Sequence, residues 1–130
     1  MIVDTSAIVA ILQKESESEM FRRAISAVEY ARLSAASYVE LGIVALRARN
    51  PVVGHALDDF ITRSAIVIEP VTERQARIAR EAYRDYGKGS GHPAGLNFGD
   101  CFAYALARDL GEPLLFKGVD FAETDIRSAI

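Results

Sequence analysis

The amino-acid sequence predicts an α/β fold, a central parallel sheet covered by helices on both faces. Three observations carry that prediction. Short apolar strand candidates alternate along the chain with longer segments of helical period, the pattern that builds parallel sheets. The 130 residues, half of them hydrophobic, suffice for one substantial core, and two domains would each be marginal in size. No internal repeat and no linker interrupts the sequence, so residues 1–130 read as one domain.

The elements follow in order. MIVD is a short strand of the buried type, running directly into Asp4. SAIVAILQKE reads as a helix with Ser6 as its cap, and ESEMFRRAISAVEY as a second, with Met20, Phe21, Ile25 and Val28 at helical spacing. RLSAAS is a weak short strand. SYVELGIVALRARN has a strong helical pattern that Asn50-Pro51 ends, and VVGHALDDFITRS follows with Val53, Leu57, Phe60 and Ile61 on one face. AIVIEP is the clearest strand segment, stopped by Pro70. TERQARIAREAYRDYG is a helix capped by Thr72 and closed by Gly87. KGSGHPAGLN is loop, FGDCFAYALARDLG a compact apolar helix ended by Gly111, and EPLLF a buried strand. KGVDFAETDIRSAI is loop with one helical turn and a last short strand.

Composition excludes several classes. The net charge is −3, so no overall basic field advertises nucleic acid, and a polyanion would need a local patch or metal ions. Lys14, Lys88 and Lys117 are the only lysines among 15 basic residues; the rest are Arg, which suits phosphate contacts and surface pairs alike. Cys101 is the single cysteine, which rules out an internal disulfide and any Cys-rich zinc site. With no basic leader before the first apolar stretch and no run of membrane-spanning length, a cytoplasmic location without membrane attachment is expected.

Four acids fall where solvated surface acids do not. Asp4 ends a strand, Glu40 and Asp100 sit at the starts of apolar helices, and Asp120 follows the last buried strand. Each has an ordinary structural reading as well. Ser37-x-x-Glu40 is a capping box, Asn97-x-x-Asp100 is a near relative, Asp4 is a cap candidate and Asp120 starts a turn. Together, however, all four map to the carboxyl edge of a parallel sheet, where such folds gather functional groups. Ionised carboxylates crowded there repel and resist desolvation, so some hold protons or a cation sits among them. Oxygen donors without His or Cys favour Mg²⁺ or Mn²⁺. That arrangement suits phosphodiester hydrolysis, and it explains how an acidic pocket admits phosphate.

MIVDTSAIVAIL, SYVELGIVAL, NFGDCFAYALA and LLFKGVDF, in this order and spacing, resemble the PIN-domain ribonucleases. More closely, they resemble the VapC-type toxins of bacterial and archaeal toxin–antitoxin (VapBC) pairs. The resemblance spans essentially the whole chain, and VDTSA together with N-x-x-D-C is its most specific part. It implies a single PIN-like domain over residues 1–130 with an α/β/α sandwich. It also implies Mg²⁺- or Mn²⁺-dependent endoribonuclease activity on cellular RNA such as tRNA or ribosomal RNA, a homodimer, and inhibition by a cognate VapB-type antitoxin. Asp4, Glu40, Asp100 and Asp120 match the four family acids and are the implied catalytic residues. Of these, Asp4 and Asp100 are the implied metal ligands, with Glu40 and Asp120 holding waters or polarising the nucleophile. Thr5 and Ser6 match the small hydroxyl positions after the first acid, with Ser6 supporting the cluster, and Asn97 matches a polar position before the third. One departure is Gly118, where many members carry a further acid; Asp125 is not expected to replace it.

Other features are weighed against ordinary structural roles. Arg74, Arg77, Arg80 and Arg84 share a helix and either touch RNA phosphates or form a solvated face paired with Glu73, Glu81 and Asp85, the latter favoured. The loop around Lys88 and His92 is either a binding loop or a connector, and Gly87-Lys88 lacks the upstream Gly that a phosphate-binding loop would need. His55 is expected at the surface and Cys101 as a packed thiol. Tyr38, Phe21 and Val28 offer apolar surface for a partner or for the core. The competing functions are an RNA- or protein-binding module of the same fold without catalysis, and a phosphotransfer receiver. The second is disfavoured because Asp58 and Asp59 read as lying inside a helix and not at a strand end.

Overall fold

The computed structural model describes residues 1–47 and 51–130. Its sheet has four strands, all parallel, in the order β3-β2-β1-β4. Along the chain run β1 (Ile2–Val3), α1 (Thr5–Leu12), α2 (Ser18–Ser26), β2 (Arg32–Ser34), α3 (Ala35–Arg47) and α4 (Pro51–Arg63). They are followed by β3 (Val67–Glu69), α5 (Glu73–Tyr86), α6 (Asp100–Leu110), β4 (Leu114–Leu115) and a 3₁₀ turn at Phe121–Glu123.

Strand alternation sorts the side chains into two layers. Val3, Leu33 and Leu115 enter a core with Ile8 and Ile11 of α1, Phe21 and Ile25 of α2, Leu41 of α3, and Leu57, Phe60 and Ile61 of α4. Ile2 and Leu114 enter the other core, with Ala79 and Ala82 of α5 and the apolar side of α6. This is the α/β/α sandwich that the sequence predicts. β1 lies in the interior of the sheet with both residues fully buried, so its carboxyl end is a rigid point of attachment.

Several boundaries and roles differ from the sequence expectation. α1 begins at Thr5 and its cap is Asp4, not Ser6. α2 is shorter than its pattern, with Phe21 and Ile25 its buried residues; Met20 lies on the outer face of the helix, and Val28 falls beyond its end at Ser26, so both are exposed. AIVIEP does form a strand, but as β3 at the sheet edge, where Val67 and Ile68 remain exposed. The closing strand reduces to an isolated bridge between Ser128 and Leu114. Thr72 caps α5 through Gln75 N–H as expected, and Gly111 ends α6 at φ 66°, the left-handed conformation that suits glycine. The proposed stop at Asn50 and the side chain of Val53 lie outside the described residues.

The Ser37–Glu40 capping box is overturned. α3 starts at Ala35, so both residues lie inside it, and the Ser37 hydroxyl is buried with no partner among the described residues. A cap replaced by Ala loses about 1 kcal/mol, whereas deleting a buried, unbonded hydroxyl relieves a desolvation cost of about 1 kcal/mol or more. Ser37→Ala is therefore expected to raise the urea midpoint, with an unchanged slope.

Candidate active site

Asp4 is delivered by β1 and is only 3% exposed. Its Oδ2 accepts from the Ser6 backbone N–H at 2.9 Å and the Ser6 hydroxyl at 2.5 Å. Capping and site roles thus fall on the same carboxylate, which corrects the assignment of the cap to Ser6. Burial raises the Asp4 pKa; the bonds from Ser6 and Thr5 oppose this, and the charge of Asp120 adds to it. The Ser6 hydroxyl also accepts from the Lys117 backbone N–H at 3.0 Å. It thereby ties Asp4 to the loop that carries Asp120. That loop is tethered again where the Lys117 ammonium pairs with Glu15, and with Glu17 at 3.3 Å.

Glu40 lies in the second turn of α3, not in the first as its sequence pattern suggests. Its carboxylate points inward, and Oε2 is buried with no hydrogen-bond partner among the described residues. Burial raises its pKa, the Asp4 charge raises it further, and the Thr5 hydroxyl lowers it. The carboxylate approaches the chain at Gly99, where a Cβ would lie 2.6–2.8 Å from its oxygens and carboxyl carbon. Gly99 is thus a site residue that sequence reasoning missed. The only available signal was a poor helix former placed just before a helix's first acid.

Asp100 opens α6 and exchanges bonds with Asn97: Asn97 N–H donates to its Oδ2 at 2.7 Å, and its own N–H donates to Asn97 Oδ1 at 3.0 Å. The ordinary capping reading of this pair is correct as far as it goes. Asp100 is nevertheless pushed up to about 6, first by burial and then by the charges of Asp4, Asp120 and Glu40, with the Asn97 bond opposing. Asp120 is exposed, precedes the 3₁₀ turn and makes no capping bond there. Its charge is felt at both Asp4 and Asp100.

The four predicted acids therefore share one electrostatic neighbourhood at the carboxyl edge of the sheet. They do not form a ready-made cage: among the described residues, no group of three or more acids, His or Cys stands at ligand distance around one point. Their chemistry still fits a hard divalent cation. The donors are all oxygens, one buried carboxylate oxygen lacks a partner, and Asp4, Glu40 and Asp100 all have raised pKa values. Burial raises them first and mutual repulsion second, and a cation would offset both.

Residues outside the cluster have separate partners. Asp125 accepts from the Tyr104 hydroxyl at 2.7 Å and pairs with Arg108 at 2.6 Å, so it is engaged elsewhere. Cys101 is buried, donates to Asn97 O at 3.2 Å and is pushed up to about 11, the behaviour of a packed thiol. On α5, Arg77 pairs with Glu73 and Arg84 with Asp85, while Arg74 reaches Asp109. The 88–97 loop is pinned at both ends, by Lys88 N–H to Leu96 O and by Leu96 N–H to Tyr86 O, each 2.9 Å. His92 stacks edge-on against Tyr86 at 4.9 Å. His55 is exposed, Phe21 belongs to the core, and the Tyr38 hydroxyl donates to Asp58 at 2.7 Å.

Comparison with known proteins identifies the family. The sequence matches the PIN domain family over residues 1–127. Ribonuclease VapC28 of Mycobacterium tuberculosis is 58% identical over 130 residues, which span 100% of this chain and 98% of the relative. Ribonuclease VapC42 of the same species is 50% identical over 129 residues, spanning 99% of this chain and 98% of the relative. The crystal structure of M. tuberculosis VapC20, a sarcin–ricin loop cleaving toxin, superposes with a TM-score of 0.76 at 17% identity. That superposition covers 96% of this chain and 95% of VapC20, a likeness of fold.

Proposed function

Because the chain belongs to the PIN domain family and to its VapC-type branch, we propose that it is the toxin of a type II toxin–antitoxin pair, a Mg²⁺- or Mn²⁺-dependent endoribonuclease. The observation that carries this reading is the set of buried and half-buried carboxylates that raise one another's pKa values at the sheet edge. Asp4 and Asp100 would hold the ion. When bound, it supplies charge neutralisation and Lewis-acid polarisation of a phosphodiester.

The chain's own side chains do the rest. Ser6 fixes the Asp4 carboxylate and holds the Asp120 loop beside it. Glu40, with an unbonded buried oxygen and a raised pKa, accepts a proton from the attacking water. Asn97 orients Asp100. Asp120, at the exposed rim, orients water at the pocket mouth.

In this proposal the substrate is cellular RNA of the tRNA or ribosomal RNA class, and a cognate VapB-type antitoxin inhibits the enzyme. The working form is a cytoplasmic homodimer of a single 130-residue domain. The stripe of Val39, Ile43 and Leu46, exposed on α3, supports apolar contact with a second copy. No helix among the described residues is long and apolar enough to cross a membrane.

The test is incubation of the purified chain with total RNA, with Mg²⁺ or Mn²⁺ and with EDTA, and mapping of the cleaved ends. Defined cuts that vanish in EDTA and with co-purified antitoxin are expected. RNA binding without cuts, and no heat on titration with Mn²⁺, would instead indicate a binding module.

A further inference from the structure

Phe98 stands between two residues that form the wall of the acidic pocket. Asn97 is locked to Asp100 on one side, and Gly99 lies against the Glu40 carboxylate on the other. The backbone on both sides of Phe98 is therefore fixed. The ring is 77% exposed, and Phe102, one helical turn on, meets it edge-to-face with centroids 4.9 Å apart. A groove of about 480 Å³ opens beside the pair, walled by Cys101, Phe102, and Arg80 and Tyr83 of α5. Arg77 and Arg84 are paired with neighbouring carboxylates, but Arg80 makes no ion pair among the described residues.

We propose that this groove is a subsite for one unpaired RNA base beside the scissile phosphate, with the base stacked on Phe98 and the adjoining phosphate met by Arg80. The proposal rests on the ribonuclease reading above and adds the recognition element to it. A single exposed apolar side chain is ordinary. A buttressed aromatic ring two residues from a candidate catalytic acid is a different case, because it is already in place before the ligand arrives. The local cation at the groove, Arg80, which makes no ion pair among the described residues, favours a nucleotide over an apolar peptide. The chain carries −3 overall and four acids line the pocket, so a polyanion gains little from long-range attraction. Base–aromatic stacking is insensitive to that repulsion, and one unpaired guanidinium at the groove supplies the local phosphate contact.

The test uses the full chain in EDTA, so that the strand stays intact, and short single-stranded RNAs carrying 2-aminopurine at successive positions. Quenching at one position is expected with the wild type. Phe98→Ala should weaken binding about 10-fold and remove the quenching. Phe98→Leu, which keeps apolar bulk without a π face, should behave like Ala, and Phe98→Trp should restore both readouts. Arg80→Gln should weaken binding and lower the salt dependence by about one counterion. Binding and quenching that persist in Phe98→Leu overturn the subsite. So does a Phe98→Ala chain that binds RNA normally but loses its antitoxin, which would make the groove a protein-docking surface. A wild type that binds no RNA also overturns it, whatever the cleavage assay gives. Stacking without cleavage on addition of Mg²⁺ or Mn²⁺ would sink the ribonuclease reading and leave the subsite standing. Normal cleavage by every Phe98 variant would do the reverse.

Discussion

Asp100→Asn is expected to lower RNA cleavage by at least about 100-fold, because losing even an outer-shell group of a metal site costs about 10–100-fold. The same substitution should raise the thermal midpoint of the metal-free protein at pH 7. The two effects share a cause. Asp100 is held against Asp4, Glu40 and Asp120 in a partly buried position, which favours its neutral form and pushes it up to about 6. Asparagine keeps an oxygen to accept from Asn97 N–H and carries no charge.

The sign of the pH dependence follows. An acid whose folded pKa lies above its unfolded value contributes stability that is complete below the unfolded pKa. That contribution is lost as pH rises through the folded pKa. For Asp100 the window runs from its ordinary 3.8 to about 6. The metal-free wild type should therefore lose thermal stability across this window more steeply than Asp100→Asn. Saturating Mg²⁺ or Mn²⁺ should then stabilise the wild type at pH 7 and leave the variant nearly unmoved. Equal melting profiles with retained cleavage would remove Asp100 from the site.

The second large effect is expected from Gly99→Ala, a change of one methyl group that carries no charge. A Cβ there would stand 2.6–2.8 Å from the Glu40 carboxylate, closer than atoms tolerate. The obstructing atoms are the end of a flexible side chain, so the fold accommodates the methyl by moving Glu40. Gly99 is not in a left-handed conformation, with φ −64°, so backbone strain adds nothing. Cleavage should fall by about 100-fold, the scale of an ångström-sized misplacement of a catalytic group. The denaturation midpoint should stay within the range of surface substitutions, about 0.5 kcal/mol. A crystal structure of the variant should show Glu40 displaced. Unimpaired cleavage by Gly99→Ala would mean that the position of Glu40 has no part in the chemistry.

Much of the site was legible because its acids break local rules. Asp4 ends an apolar strand and Asp120 follows another, and both are out of place in a purely hydrophobic pattern. Asp100 was legible in two ways, as a cap partner of Asn97 and as a member of the cluster, and the structure keeps both. Glu40 was singled out as an acid at the start of an apolar helix, one turn from its actual place. The helix starts earlier, at Ala35, which removes the competing Ser37-x-x-Glu40 capping box and turns Glu40 inward toward Gly99. β3 was legible as a strand from its apolar run, but its place at the sheet edge, which exposes Val67 and Ile68, was not.

By itself, the sequence determined the alternation of strands and helices, and therefore a parallel sheet with two covered faces. It also determined which carboxylates end up at the sheet's carboxyl edge. Both follow from short-range rules: periodicity sets the element type, and parallel connectivity puts strand ends on a common side. Only the tertiary structure decided the strand order, which α3 residues face inward, and that Gly99 makes room for Glu40 while Phe98 is left exposed beside them. Those outcomes depend on contacts between elements far apart in sequence, where a shift of about one residue in a helix start rotates each side chain by roughly 100°. Local pattern placed the acids on the right edge; long-range packing aimed them at one another.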